Sequence, residues 1–143
     1  MESLQEQVRK SFRSEMLATG LYAVLAEQYG KKKPQMGKIF KEASDQEYMH
    51  GKLFRQFSLK RFGTPPGNET LWIACGRFAA RMMTPFPLKK KLKTLCSKEF
   101  EAVVTIGKAL SGDPDPGFRK ILTRILPDEE AHAAIYKKLF PGL

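Results

Sequence analysis

The 143 residues include two histidines, His50 and His132, and each stands three positions after a glutamate, Glu47 and Glu129. Residues three apart on a helix are neighbours, so each pair can aim a carboxylate and an imidazole at one point. A further glutamate precedes each pair, Glu15 and Glu99. All six fall where the surrounding pattern reserves a place for apolar side chains. Glu15 lies three before Ala18, Glu47 four after Ala43, Glu99 between Leu95 and Ala102, and Glu129 four after Ile125. A buried, unpaired carboxylate costs several kcal/mol, and a group of them repel one another. Neither lysine nor arginine occupies the middle of the apolar stripes, so the compensating charge must come from elsewhere. Four carboxylates and two divalent cations cancel and leave both imidazoles neutral. Mixed oxygen and nitrogen donors suit iron or manganese, with zinc a poorer fit. The expected cofactor is therefore a pair of iron ions, with manganese or a mixed pair as the alternative. Glu101 and Glu130 fall off the stripes and are expected on the surface.

Four long segments must carry these residues. The first has Leu4, Val8, Phe12, Ala18, Tyr22, Leu25 and Tyr29; the second Met36, Ile39, Phe40, Ala43, Leu53, Phe54 and Phe57. The third has Leu88, Leu92, Leu95, Ala102, Ile106 and Leu110; the fourth Phe118, Leu122, Ile125, Tyr136 and Leu139. Steps of three and four dominate, which is helical, and no segment alternates as a strand does. The fold class is all-α. Gly30, Gly63 and Gly112 stand where left-handed helix C-caps are expected, and Pro141-Gly142 closes the last segment. Asp115-Pro116 reads as an N-cap followed by a first helical residue. Thr64-Pro65-Pro66-Gly67 and Thr84-Pro85-Phe86-Pro87 are loops. Between them, Asn68 to Met83 forms a shorter amphipathic helix. The organisation is one domain, 1–143, of two helical hairpins at about 2–63 and 88–140, joined by a crossover at about 64–87.

The halves repeat: Glu15 and Glu47 are 32 residues apart, Glu99 and Glu129 are 30 apart. Glu47 and Glu129 each lie 13 residues after a helix-starting proline, Pro34 and Pro116. At 1.5 Å per residue each hairpin then brings its two glutamates to a similar depth.

Length and an apolar fraction of 42% exclude a disordered chain. No apolar run reaches the length of a membrane span, and the N-terminal stretch lacks a signal-peptide core, so a cytoplasmic location is expected. Cys75 and Cys96 form no metal-binding or disulfide pattern and are expected as buried thiols. The net charge of +10 fits an anionic partner or a solvated lysine-rich surface, with nucleic acid disfavoured.

A glutamate and an E-x-x-H, repeated on four helices, resembles the ferritin-like di-iron carboxylate superfamily, and the rubrerythrin-like branch in particular. Glu15-x-x-Ala18-x-x-x-Tyr22 is similar to that branch's first helix. Asp45-Gln46-Glu47-Tyr48-Met49-His50 and Asp128-Glu129-Glu130-Ala131-His132 resemble its second and fourth. The resemblance covers residues 10 to 137 and implies a four-helix bundle with a long crossover. It implies that Glu47 and Glu129 bridge two metals, that Glu15 and Glu99 are terminal ligands, and that His50 and His132 each bind one ion. Asp128 is placed to orient His50, with Gln46 at the equivalent position of the first half. Tyr22 either hydrogen-bonds a terminal carboxylate or packs. Rubrerythrins usually add a four-cysteine rubredoxin domain and a further carboxylate where this sequence has Ala102. The bare six-ligand set is shared with the demethoxyubiquinone hydroxylases, as is D-Q-E-x-x-H at positions 45 to 50.

An oxidoreductase that reacts with O2 or H2O2 and takes electrons from an outside donor is the leading expectation. Iron handling (ferroxidase, storage or delivery) and membrane-associated hydroxylation of a quinone precursor are the alternatives. In a ferritin-like bundle Lys31, Lys32, Lys33, Lys38, Lys89, Lys90, Lys91, Lys93, Lys137 and Lys138 gather at one pole. That pole would dock an acidic donor or an anionic membrane, or would simply be solvated. The 69–83 helix, with Trp72, Phe78, Met82 and Met83, is expected to cover the core or form a homodimer contact, with peripheral membrane contact as the alternative. Pro127, two before Glu129, is expected to kink the fourth helix.

Overall fold

A computed structural model describes residues 2–141 and is all-α, with six helices and no strand among them. Gly142 lies outside the described residues. Helix α1 is Leu4–Gly30, α2 Pro34–Phe62, α3 Glu69–Met82, α4 Leu88–Ser111, α5 Pro116–Ala133 and α6 Ile135–Leu139. The chain divides into two compact units between Met83 and Thr84. No helix among the described residues is long and apolar enough to cross a membrane.

In the first unit, Ser3 caps α1 by accepting from the Glu6 N–H at 3.2 Å, the first half of a capping box. A three-residue turn joins α1 to α2, too short for anything but an antiparallel pair. Phe12, Met16 and Tyr22 of α1 and Phe40 and Phe54 of α2 are almost fully buried. Helix α3 is capped by the Asn68 side chain, which accepts from the Leu71 N–H at 3.0 Å, and packs on α1. Its opposite side leaves Leu71, Phe78 and Met82 exposed.

In the second unit, Asp115 caps α5 as expected, its carboxylate accepting from the N–H groups of Gly117 and Phe118 at 3.0 and 3.2 Å. Leu92 and Ile106 of α4 face Phe118, Leu122 and Ile125 of α5, all buried.

Three expectations are corrected, those on Gly30 and Gly112, on Lys91 and on Cys75. Gly63 is left-handed, with φ 76°, but Gly30 and Gly112 are not. Gly30 ends α1 in helical conformation, and its bareness serves close packing: a Cβ on Gly37 would stand 2.5 Å from the Gly30 Cα. Gly112 is extended and closes α4 through a tight N–H bond to the Ala109 carbonyl at 3.3 Å. Helix α5 continues through Pro127, and the interruption falls seven residues later, at Ala134. Lys91 is buried at 4% exposure rather than solvated, because it shares one face of α4 with Leu95 and Glu99. Cys96 is buried, whereas Cys75 is only half-buried.

Candidate metal centre

Each unit carries three of the six singled-out residues, and all six are buried, at 2–7% exposure. In the first unit Glu15 comes from the middle of α1, and Glu47 and His50 from successive turns of α2. The His50 Nδ1 lies 3.4 Å from Glu15 Oε2 and 3.5 Å from Glu47 Oε1. Each of the three residues offers a donor atom within 4.8 Å of the other two.

The second unit repeats the pattern. Glu99 comes from α4, and Glu129 and His132 from α5. The His132 Nδ1 stands 4.0 Å from Glu99 Oε1, and again one donor atom from each residue lies within 4.8 Å of the others. In both units the imidazole therefore turns its Nδ1 toward the lone glutamate of the neighbouring helix.

These separations are long for hydrogen bonds. They suit ligands around an ion: two donors each about 2.1 Å from a first-row dication stand roughly 3.0 to 3.4 Å apart. Carboxylate oxygen and imidazole nitrogen are also the donor types that iron and manganese accept. Both donor sets thus fit a divalent metal in chemistry, and the first, at 3.4 and 3.5 Å, fits in spacing as well. Glu101 and Glu130 are exposed, off the site.

The supporting residues are less uniform. Tyr22 is fully buried and stacks on Phe40, with centroids 6.4 Å apart. Asp128 is half-buried, while Gln46 is exposed. Asp45 points outward to Lys41, 2.6 Å away.

Two polar residues that the periodicity did not single out lock α1 to α2 beside the first donor set. The Thr19 hydroxyl donates to the Glu15 carbonyl at 2.8 Å. The Ser44 hydroxyl then donates across to the Thr19 carbonyl at 2.9 Å. Thr19 lies one turn after Glu15 and Ser44 nearly one turn before Glu47, so the bond sets the relative height of the two carboxylates. Their spacing from the glutamates was the available signal. Gly51, next to His50, makes room for Met16: a Cβ there would come within 2.3 Å of the Met16 methyl.

In comparisons with known proteins, the rubrerythrin family model matches residues 6–140. No curated protein matches the chain, and no solved structure does. With nearly the whole chain inside that match and a buried carboxylate–imidazole set in each unit, the chain belongs to the rubrerythrin family of ferritin-like di-iron proteins.

Proposed function

We propose that the two donor sets together hold two iron ions and that the protein is an oxidoreductase acting on O2 or peroxide. The observation that carries this reading is the repeated set itself: a lone glutamate, a glutamate and an imidazole, buried and closely spaced, in each unit. When bound, two ferrous ions supply the electron pair that reduces O2 or H2O2.

Glu15, Glu47 and His50 of the first unit and Glu99, Glu129 and His132 of the second would hold the metal, as the family resemblance implies. Burial keeps bulk water from all six side chains, which strengthens their hold on a cation. Tyr22 would support a terminal carboxylate, and Asp128 would serve as the supporting carboxylate that the family resemblance implies. Electrons come from an external donor. The exposed lysines at 31–33, at 38 and at 89, 90 and 93 favour an acidic one, in line with the net charge of +10.

The test is metal analysis of protein reconstituted anaerobically with Fe(II), followed by rapid mixing with O2 and with H2O2. Two iron ions per chain and fast oxidation by one of the two oxidants are expected. Fewer than two ions per chain, or ferrous protein inert to both oxidants, overturns the reading.

A further inference from the structure

The fourth long segment is interrupted two residues after His132. Helix α5 ends at Ala133 and α6 starts at Ile135, with the Ala134 N–H turned back to the Ala131 carbonyl at 3.2 Å. In an uninterrupted helix the Tyr136 N–H would point at the His132 carbonyl. Here a side chain from α4 meets both groups. The Cys96 Sγ lies 3.5 Å from the His132 carbonyl oxygen, to which the thiol donates. The same sulfur accepts from the Tyr136 N–H.

We infer that Cys96 is a positioning residue for His132, its thiol bridging the helix interruption and holding the imidazole-bearing turn against α4. Cys96 is buried, at 8% exposure, which limits competition from water for its thiol.

The arrangement matters because the tract that carries Glu129 and His132 is bounded at both ends. Pro127 removes a backbone donor before it, and the Ala134 interruption follows it. Only seven residues, 127–133, lie between. The equivalent pair, Glu47 and His50, sits inside a 29-residue helix with no internal proline. A bounded tract needs an outside anchor, and Cys96 is on the same helix as Glu99, one turn before it. One helix thus supplies both a carboxylate to the second donor set and the clamp on its imidazole.

The test uses the full chain with Cys96→Ala and Cys96→Ser. In metal-free protein, amide hydrogen exchange is read at Tyr136, with Leu122 as an internal control. Exchange at Tyr136 should speed up about tenfold in the alanine variant, stay close to wild type in the serine variant and leave Leu122 unchanged. The second readout rests on the two-metal reading and is an anaerobic Co(II) titration. Losing a group that orients a ligand weakens one of the two Co(II) affinities about tenfold and leaves the other unchanged, and serine restores most of the loss. If alanine prevents folding, Cys96→Val fills the thiol's volume without donating or accepting and takes its place. Wild-type exchange at Tyr136 in the alanine variant overturns the bridge. Unchanged Co(II) affinities, or an equal fall in both, overturn the positioning role. A wild-type chain that binds no Co(II) overturns the metal reading instead, and the exchange measurement still decides whether the bridge exists.

Discussion

Gly20 of α1 and Gly76 of α3 bring two helix backbones into direct contact. A Cβ on Gly20 would lie 2.2 Å from the Ile73 carbonyl oxygen, and one on Gly76 would lie 2.0 Å from that of Leu17. Leu17 is two residues from Glu15, so the contact fixes α3 beside the part of α1 that bears a donor. Neither neighbour is a flexible side chain, and a methyl group can be admitted only by moving a helix.

Gly76→Ala should therefore cost about 3 kcal/mol and lower Tm by roughly 6 to 12 °C. Gly107→Ala supplies the opposite case. Nothing lies within 4 Å of its Cβ position in α4, so alanine there should stabilise by about 0.5 to 1 kcal/mol. Thermal melts of the two variants, side by side, check both signs.

Ser44→Ala removes the hydroxyl that donates to the Thr19 carbonyl in the α1–α2 interface. A loss of about 1 kcal/mol is expected, measured by urea unfolding with an unchanged slope. Because the bond sets the height of Glu15 against Glu47, Co(II) affinity should fall as well. Stability lost with affinity intact would show that the bond only fastens the helices.

Glu47→Gln tests the charge argument directly. In metal-free protein the Glu15 and Glu47 carboxylates both lie beside His50. Neutralising one relieves repulsion, so the metal-free variant should melt no lower than metal-free wild type, and up to about 1 kcal/mol more stable. Wild type should gain stability on metal addition, about 4 kcal/mol at a thousandfold excess over Kd, and the variant far less. Calorimetry with and without Co(II) separates the two effects. A variant that gains as much as wild type would remove Glu47 from the ligand set.

Lys52 and Glu69 tie α2 to the first turn of α3, with nitrogen and oxygen 3.0 Å apart. Burial acts to raise the Glu69 pKa, but hydrogen bonds from Tyr48 and Lys52 outweigh it and hold the carboxyl below its usual range. The hydrogen bond to Glu69 chiefly raises the Lys52 pKa. A depressed carboxyl stabilises above its unfolded pKa and loses that contribution as pH falls through the folded value. A raised ammonium keeps its contribution until pH climbs through the folded value. The pair thus contributes across the neutral range and fades in acid below the ordinary carboxylate pKa of 4.5 and in alkali above 10.5. Both side chains are partly solvated, so the effect is less than about 1 kcal/mol. Lys52→Met should cost that much at pH 7 and nothing at pH 2, as read by denaturant midpoints.

Much of the site was legible because it breaks a rule. A glutamate four residues after Ala43, with a histidine three further on, stands out against an apolar stripe, and both side chains are indeed inside. Helix starts were legible for a similar reason, since Asp115-Pro116 carries its capping chemistry within two residues. What stayed hidden depends on a second helix. Gly30 and Gly112 look like helix stops of one kind, yet the first is set by the approach of Gly37 and the second by a tight final turn. Gly20 and Gly76 sit inside helical runs with nothing nearby to mark them. Lys91 reads as one of a lysine run until its face is known. Cys96 looks like any small core residue, because its partners are backbone groups 36 and 40 positions away.

The interruption at Ala134 carries a further meaning when the halves are compared. Each half holds one lone glutamate and one E-x-x-H, so a half-length ancestor, taken twice, would have carried the same inventory. Two identical copies must mount their ligands identically. A single chain that contains both halves is released from that constraint: one imbalance, introduced once, alters one pair and spares the other. An unbroken α2 in one unit and a proline-bearing, interrupted α5–α6 in the other mount equivalent residue pairs on different backbones, so a change in one pair's support leaves the other's untouched.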